Sequence, residues 1–289
     1  SSPSRGLGDV YKRQEVMGAE KKKENLKDIF SVFRDFRNYL GEAYLQFGEP
    51  INLNALLKEY PLSDYSSEKD WLFKVTPVLG KKIMTTINDS TVVTSTALFS
   101  LAILNSDGFS ISNRELVSRI ELLKSLLAED KYSAKTLICE KTGEEIIDQM
   151  RKLGFLSKEG INDRISLTNL EAAKLSFYRN NISHLLIFES LICGFFQYQK
   201  EIVKEDLLQS IKMIYPFLKE EFFLKWDEAD LDQLINLKLN KLINKNLILE
   251  DFNVYKRPDF KSREFYETQS LGKPVSYTHL PSPRDGLLS

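Results

Sequence analysis

Three hydroxyl residues, each followed three positions later by glutamate and then by apolar residues at helical spacing, commit the middle of this chain to helices. They are Ser112 with Glu115, Thr142 with Glu145, and Thr168 with Glu171. In such a box the hydroxyl accepts from the backbone N–H three residues on, while the carboxylate reaches back to the capping residue's own N–H. Both satisfy donors that the first turn of a helix leaves free. The first box leads into Leu116, Ile120, Leu123 and Leu127, and the second into Ile146, Ile147 and Met150. The third opens a helix expected to run through Tyr198. Trp71 to Ile87 and Val92 to Leu104 are further apolar-periodic stretches, with Pro77 expected to kink or break the first. Leu207, Ile211, Ile214 and Leu218 predict a helix whose last turns Pro216 disturbs, and Asp227 is placed to cap a helix carrying Leu231, Leu234, Ile235, Leu239 and Leu242. Beyond Glu68 the strand signal almost vanishes. Only Phe155-Leu156 and Leu247-Ile248-Leu249 remain, short apolar pieces expected to pair as a small β-ribbon. No repeat of fixed period and no low-complexity stretch stands out, and the expected fold class is mainly α.

The pattern before Glu68 differs. Leu26, Ile29, Phe30, Phe33 and Phe36 recur at helical spacing up to Leu40, with Gly41 as a stop. Ala43-Tyr44-Leu45-Gln46-Phe47 alternates like a strand and closes on Gly48-Glu49-Pro50. Asn52 or Asn54 is placed to cap a short helix through Leu57, and Pro61 to Ser67 reads as a linker. Helix, strand, helix is the last unit of an α/β domain. Residues 15–62 are therefore assigned to the end of such a domain and residues 63–274 to an all-α domain after it.

Both ends read as artefact. Asp9-Val10-Tyr11-Lys12-Arg13-Gln14 is the translation of one strand of a common transposase-based sequencing adapter, and Val275-Ser276-Tyr277-Thr278-His279-Leu280 is that of the complementary strand. Ser1–Gln14 and Val275–Ser289 are accordingly set aside from fold reasoning.

Charge and composition narrow the chemistry. The 289 residues carry 40 Lys and Arg against 41 Asp and Glu, so there is no basic field for coating nucleic acid. Two Cys, Cys139 and Cys193, make no disulfide framework, and with no Cys-x-x-Cys pair and one natural His a metal cage is nearly excluded. The most apolar stretch, Ile182 to Phe196, is shorter than the ~20 residues of a spanning helix. No Gly-x-Ser-x-Gly elbow and no glycine-rich phosphate loop is present. His184 and Glu189 form a His-x4-acid pair, but five helical steps leave their side chains roughly 140° apart, so they are not expected to act together. No residue of the chain is therefore expected to be catalytic.

One polar group stands inside an apolar helix: Tyr178, Arg179, Asn180 and Asn181, followed by His184. Arg179 either fixes an anionic group such as a phosphate, docks another domain, or forms an internal ion pair, for which Glu189, Glu220 and Glu221 are candidates. The aromatic run Phe217 to Trp226 is suited to a core or inter-domain corner, or to lipid. Ser112 to Asp130 and the capped helix after it have the outline of a helix-turn-helix with a wing, with only Arg114 and Arg119 as basic residues.

Phe47-Gly48-Glu49-Pro50-Ile51-Asn52-Leu53, Ala97-Leu98 ahead of Ser112-Asn113-Arg114-Glu115-Leu116, Tyr178-Arg179-Asn180-Asn181-Ile182-Ser183-His184, and Tyr215 to Asp227 with its Phe-Leu-Lys-Trp-Asp stretch resemble, in order and spacing, one family. It is the bacterial membrane-associated glycerol-3-phosphate acyltransferases, in their C-terminal half. The resemblance implies acyl transfer from acyl-CoA or acyl carrier protein, as co-substrate, to the 1-hydroxyl of glycerol 3-phosphate, with no bound cofactor. It also implies a catalytic acyltransferase domain as intramolecular partner and a peripheral seat on the cytoplasmic face of the inner membrane. That family's His-x4-Asp block and its phosphate-holding blocks lie upstream of the strand ending at Phe47, so the chain is expected to be an inactive fragment. The competing readings are a helical interaction module without catalysis and a nucleic-acid-binding winged helix, the latter not expected.

Overall fold

The computed structural model describes residues 41–156, 163–260 and 262–276. By packing the chain divides after Glu42, and the unit from Ala43 onward holds nearly all that is described. The predicted helix from Asn25 to Leu40 lies outside the described residues. The predicted strand Ala43–Phe47 does not form: the segment makes no ladder, because no described strand lies beside it to accept its hydrogen bonds. It is tied to the helical unit by side chains instead. Gln46 Nε2 donates to the Lys135 carbonyl at 2.5 Å, Lys135 pairs with Glu49, and Gly48 sits so close to Thr86 that a Cβ there would displace the Thr86 methyl group.

Helix α1 (Leu53–Glu59) starts where Asn52 Oδ1 accepts from Ala55 N–H, as predicted. The segment read as a linker contains a single 3-10 turn, Leu62–Asp64. Helix α2 (Glu68–Asp89) is capped by Ser67 and runs without interruption through Pro77. Strand β1 (Val92–Val93) pairs in parallel with β3 (Leu137–Ile138).

The rest is one motif used twice. The first copy is α3 (Ser95–Leu104), β2 (Ser110–Ser112), α4 (Asn113–Glu129), α5 (Gly143–Lys152), β4 (Arg164–Ser166) and α6 (Asn169–Asn180). The second is α7 (Ile187–Phe195), β5 (Glu201–Val203), α8 (Lys204–Phe222), α9 (Leu231–Asn244), a hairpin of β6 (Leu249–Asp251) and β7 (Val254–Lys256), and α10 (Arg263–Ser276). In each, the strand before the long helix pairs antiparallel with the strand after the third helix, β2 with β4 and β5 with β7. This is a helix-turn-helix closed by an antiparallel ribbon, the layout of a winged helix.

The two copies share the backbone bonds at the ends of this ladder and at the exit of the third helix. Asn113 N donates to Asp163 O, and Lys204 N to Asn253 O; Leu167 N donates to Phe109 O, and Arg257 N to Lys200 O. Both third helices end on a left-handed residue, Gly154 (φ 75) and Asn246 (φ 55), after which Phe155 N reaches Met150 O and Leu247 N reaches Leu242 O. The expectation of no repeat is thereby corrected. The recurrence is in burial rather than identity: Ile111, Leu116 and Ile120 stand 91 residues before Ile202, Leu207 and Ile211, and all six are buried.

The core follows from this arrangement. Helices α3 and α7 are buried nearly all round, as an apolar helix in the middle of a bundle must be. Helix α6 packs on α3, and α10 packs on α7. The latter approach is close: a Cβ at Gly272 would stand 2.8 Å from the Cys193 carbonyl carbon.

Other expectations are corrected here. The helix expected from Thr168 through Tyr198 breaks after Asn180, passes through a 3-10 turn (Ser183–Leu186), and restarts as α7. The adjoining Asn180-Asn181 pair favours leaving a helix. Phe155-Leu156 forms no ribbon with Leu247–Leu249, because the second copy closes its own sheet in the order β5-β7-β6. Asp227 precedes a 3-10 turn, Glu228–Asp230, and α9 starts only at Leu231. Of the three boxes, Thr142/Glu145 and Thr168/Glu171 are reciprocal. Ser112 accepts from Glu115 N, but the Glu115 carboxylate turns to Arg119 at 2.8 Å.

Candidate functional site

The polar residues singled out in the sequence do not form one cluster. Tyr178, Arg179, Asn180 and Asn181 lie at the outer end of α6, with Asn180 and Asn181 exposed. Tyr178 packs edge-on against Phe155. His184, in the following turn, points inward and is 5% exposed. Arg179 is half-buried, and its Nε and Nη2 donate to Asn180 Oδ1 at 3.2 and 3.1 Å. The internal ion pair weighed for it is not formed: Glu220 pairs with Lys81, and Glu189 with Lys238 and Lys241. Desolvation without an opposing carboxylate lowers the Arg179 pKa. It is a half-buried cation whose hydrogen bonds go to a neutral amide oxygen and not to a carboxylate.

Inward, two of the sequence strings meet at the C-terminal end of α2. Asn88, 8% exposed, donates from Nδ2 to the carbonyls of Phe222 (2.7 Å) and Phe223 (3.3 Å), closing the C-terminus of α8 where Phe223 turns left-handed. The carbonyl of the same Asn88 lies 3.4 Å from His184 Nε2, and Thr91 Oγ1 lies 3.3 Å from it. Lys225 donates to Asp89 (2.8 Å) and to the Tyr132 carbonyl (2.5 Å), with its ammonium 4.3 Å from the Tyr132 ring centre. Tyr132 stands edge-on to both His184 and Trp226, and Trp226 stands edge-on to Phe188. Burial depresses His184 to about 4, so the imidazole is neutral. Asn88, Asp89, Thr91 and Tyr132 were missed in the sequence; the only signal was the polar Asn-Asp-Ser-Thr run ending an apolar helix.

A buried charge cluster joins the two copies of the motif. Glu189 of α7, fully buried, meets Lys238 (3.4 Å) and Lys241 of α9; Lys238 also pairs with Asp130 at the end of α4, and Lys241 donates to the Leu126 carbonyl at 3.0 Å. Burial alone would lower the Lys238 pKa, but Glu189 and Asp130 outweigh it and the pKa is raised. His184 and Glu189 have separate partners, and they stand in a 3-10 turn and in α7 and not on the one continuous helix from which their separation was argued.

Neither cluster has the parts of a catalytic site. His184 lies in a packed interior, and Asp89, the acid nearest to it, is committed to Lys225. No group of three or more metal-ligating side chains occurs among the described residues. Among them, no helix is long and apolar enough to cross a membrane. What the geometry provides is a hydrogen-bonded joint between α2, the exit of α8 and the turn after α6.

Residues 13–276 match the model of the glycerol-3-phosphate acyltransferase C-terminal region. The chain belongs to that family. Among curated relatives, the glycerol-3-phosphate acyltransferase of Pseudomonas putida (strain GB-1) is 29% identical over 272 residues, 91% of this chain and 33% of the relative. That of Pseudomonas aeruginosa (strain LESB58) is 28% identical over 273 residues, with the same coverage. The chain thus spans about a third of the length of the relatives it matches. Seen within the family, the joint at Asn88 ties together two of the strings on which the resemblance rests.

Proposed function

We propose that this chain is the C-terminal part of an enzyme that transfers an acyl group from acyl-CoA or acyl carrier protein to the 1-hydroxyl of glycerol 3-phosphate. The observation that carries the reading is the family match along residues 13–276. The sequence supplies no His-x4-Asp block, and His184 is neutral and enclosed. In this reading the hydroxyl is activated by residues upstream, in an acyltransferase domain, and the helical part acts by docking to it. Support for that dock comes from residues 43–90, the first described part of the chain, where Leu45, Phe47, Leu53, Leu62 and Phe73 are exposed apolar side chains. Arg179 faces either that domain or the phosphate of the substrate. The whole enzyme sits peripherally on the cytoplasmic face of the inner membrane.

The winged-helix layout invites a nucleic-acid reading, and its surfaces argue against it. The outer face of α5 carries Glu144, Glu145 and Asp148, while Lys238 and Lys241 of α9 are consumed by the buried cluster. The test of the main reading is to extend the gene upstream and assay glycerol-3-phosphate-dependent release of CoA. Activity in the extended protein is expected; its absence from a folded extended protein, with acyl carrier protein also tried as donor, would overturn the assignment.

A further inference from the structure

A cleft of about 340 Å³ lies between the N-terminal half of α4 and helix α10. Three guanidinium groups line it, against two carboxylates. Arg119 is the deep one, its side chain 11% exposed, donating to Glu115 at 2.8 Å and to the Ala102 carbonyl at 3.4 Å. Arg263 donates to Glu267 at 2.8 Å and to Ser118 Oγ at 2.6 Å. Arg114 is exposed, with no carboxylate partner among the described residues.

Arg114 is costly where it stands. It lies in the first turn of a 17-residue helix, where a cation opposes the macrodipole. The second copy of the motif shows that the fold does not require it. In α8 the positions equivalent to Arg114 and Arg119 are Glu205 and Ser210, while the buried Leu116 and Ile120 keep their counterparts Leu207 and Ile211. The first copy thus carries an unfavourable charge where the second carries a favourable one, with a second arginine buried below it. The helix terminus itself offers little, since Ser112 Oγ already takes the Glu115 N–H.

We propose that this cleft binds a phosphate-bearing ligand, with Arg114 meeting the phosphate and Arg119 and Arg263 held ready by Glu115 and Glu267. Guanidinium forks match phosphate oxygens in geometry and charge, and holding two of them in place beforehand reduces what binding must order. The phosphate comes either from a soluble molecule such as CoA or from a lipid headgroup. The inference does not rest on the acyltransferase reading, because it concerns binding by this chain.

The experiment titrates the 289-residue chain calorimetrically with inorganic pyrophosphate and with CoA, and floats it with phosphatidylcholine vesicles with and without phosphatidate. Binding of at least one phosphate probe is expected, weakened tenfold or more by Arg114→Glu, the residue the second copy carries. CoA or pyrophosphate binding assigns a soluble source, and flotation only with phosphatidate assigns the headgroup. The thermal midpoint of Arg114→Glu is expected to be unchanged or higher. Failure of every probe to bind the unmodified chain, equal binding by Arg114→Glu, or a lowered midpoint for it would each overturn the proposal. Because no acyl transfer is measured, these outcomes are independent of the upstream extension assay.

Discussion

At the scale of single residues, His184 and Arg179 show how neighbours in sequence divide their roles. His184 is packed against Asn88, Thr91 and Tyr132, with Lys225 and Asp89 nearby, and its pKa falls to about 4 because burial disfavours the cation. The unfolded chain, with an ordinary His pKa of about 6.5, binds the proton first. Stability from the neutral imidazole is therefore complete above about pH 6.5 and is lost as pH falls toward 4. Urea unfolding at pH 7 and pH 4.5 should show the unmodified chain losing roughly 2 to 3 kcal/mol more than His184→Gln across that interval. Equal losses would mean the imidazole is protonated in the fold. Arg179 is the converse case. An ion pair with Glu189 or Glu220 would make Arg179→Ala strongly destabilising, but both acids are engaged elsewhere. Arg179→Ala should thus cost less than about 1 kcal/mol in this chain, the ordinary range for a surface change. In the upstream-extended enzyme it should raise the Michaelis constant for glycerol 3-phosphate or lower kcat. A large fall in the melting midpoint of this chain would return Arg179 to a structural role.

Among the elements, α7 is the hub, holding α10 by close approach and α9 by charge. Two glycines in helices should respond in opposite directions. At Gly272 a methyl group would meet the backbone of Cys193 and Gly194 at 2.8 Å, whereas at Gly80 in α2 nothing lies within 4 Å. Gly272→Ala should destabilise by roughly 1 to 3 kcal/mol through overpacking, and Gly80→Ala should stabilise by roughly 0.5 to 1 kcal/mol through helix propensity. Urea midpoints of the two variants decide this, and a neutral Gly272→Ala would show that α10 can slide away from α7. Glu189→Leu leaves two lysines in the interior with only Asp130 and one carbonyl between them, a loss of order 3 to 5 kcal/mol. Its urea midpoint should fall accordingly, and an unchanged midpoint would mean that water reaches the cluster. Much of this layer was legible in sequence and some was not. Thr142/Glu145 and Thr168/Glu171 announced their helices because capping is local. Pro77 and Pro216 were read as interruptions, but their helices continue, since neighbours such as Tyr215, whose hydroxyl donates to the Trp226 carbonyl at 2.6 Å, are fixed by tertiary contacts. The break after Asn180 was hidden because apolar residues continue on both sides of it. Strand pairing between Glu201–Val203 and Val254–Lys256 spans some fifty residues and leaves no local mark.

For the whole molecule, the repeated six-element motif was invisible in sequence because only the burial pattern is kept, as at Leu116 and Leu207, while the exposed positions diverged, as at Arg114 and Glu205. Of the candidate site, Arg179 and His184 were found as polar intrusions in apolar sequence. The partners of His184, Asn88 and Tyr132, come from distant segments that only the fold brings near. The central claim is that this helical region completes an acyltransferase whose chemistry resides upstream. The most direct measurement is acyl transfer by the 289-residue chain alone, at micromolar concentration, with acyl-CoA or acyl carrier protein as donor and the upstream-extended protein as positive control. The chain alone is predicted to match the buffer blank while the control turns over. Formation of 1-acylglycerol 3-phosphate by the chain alone would contradict the account.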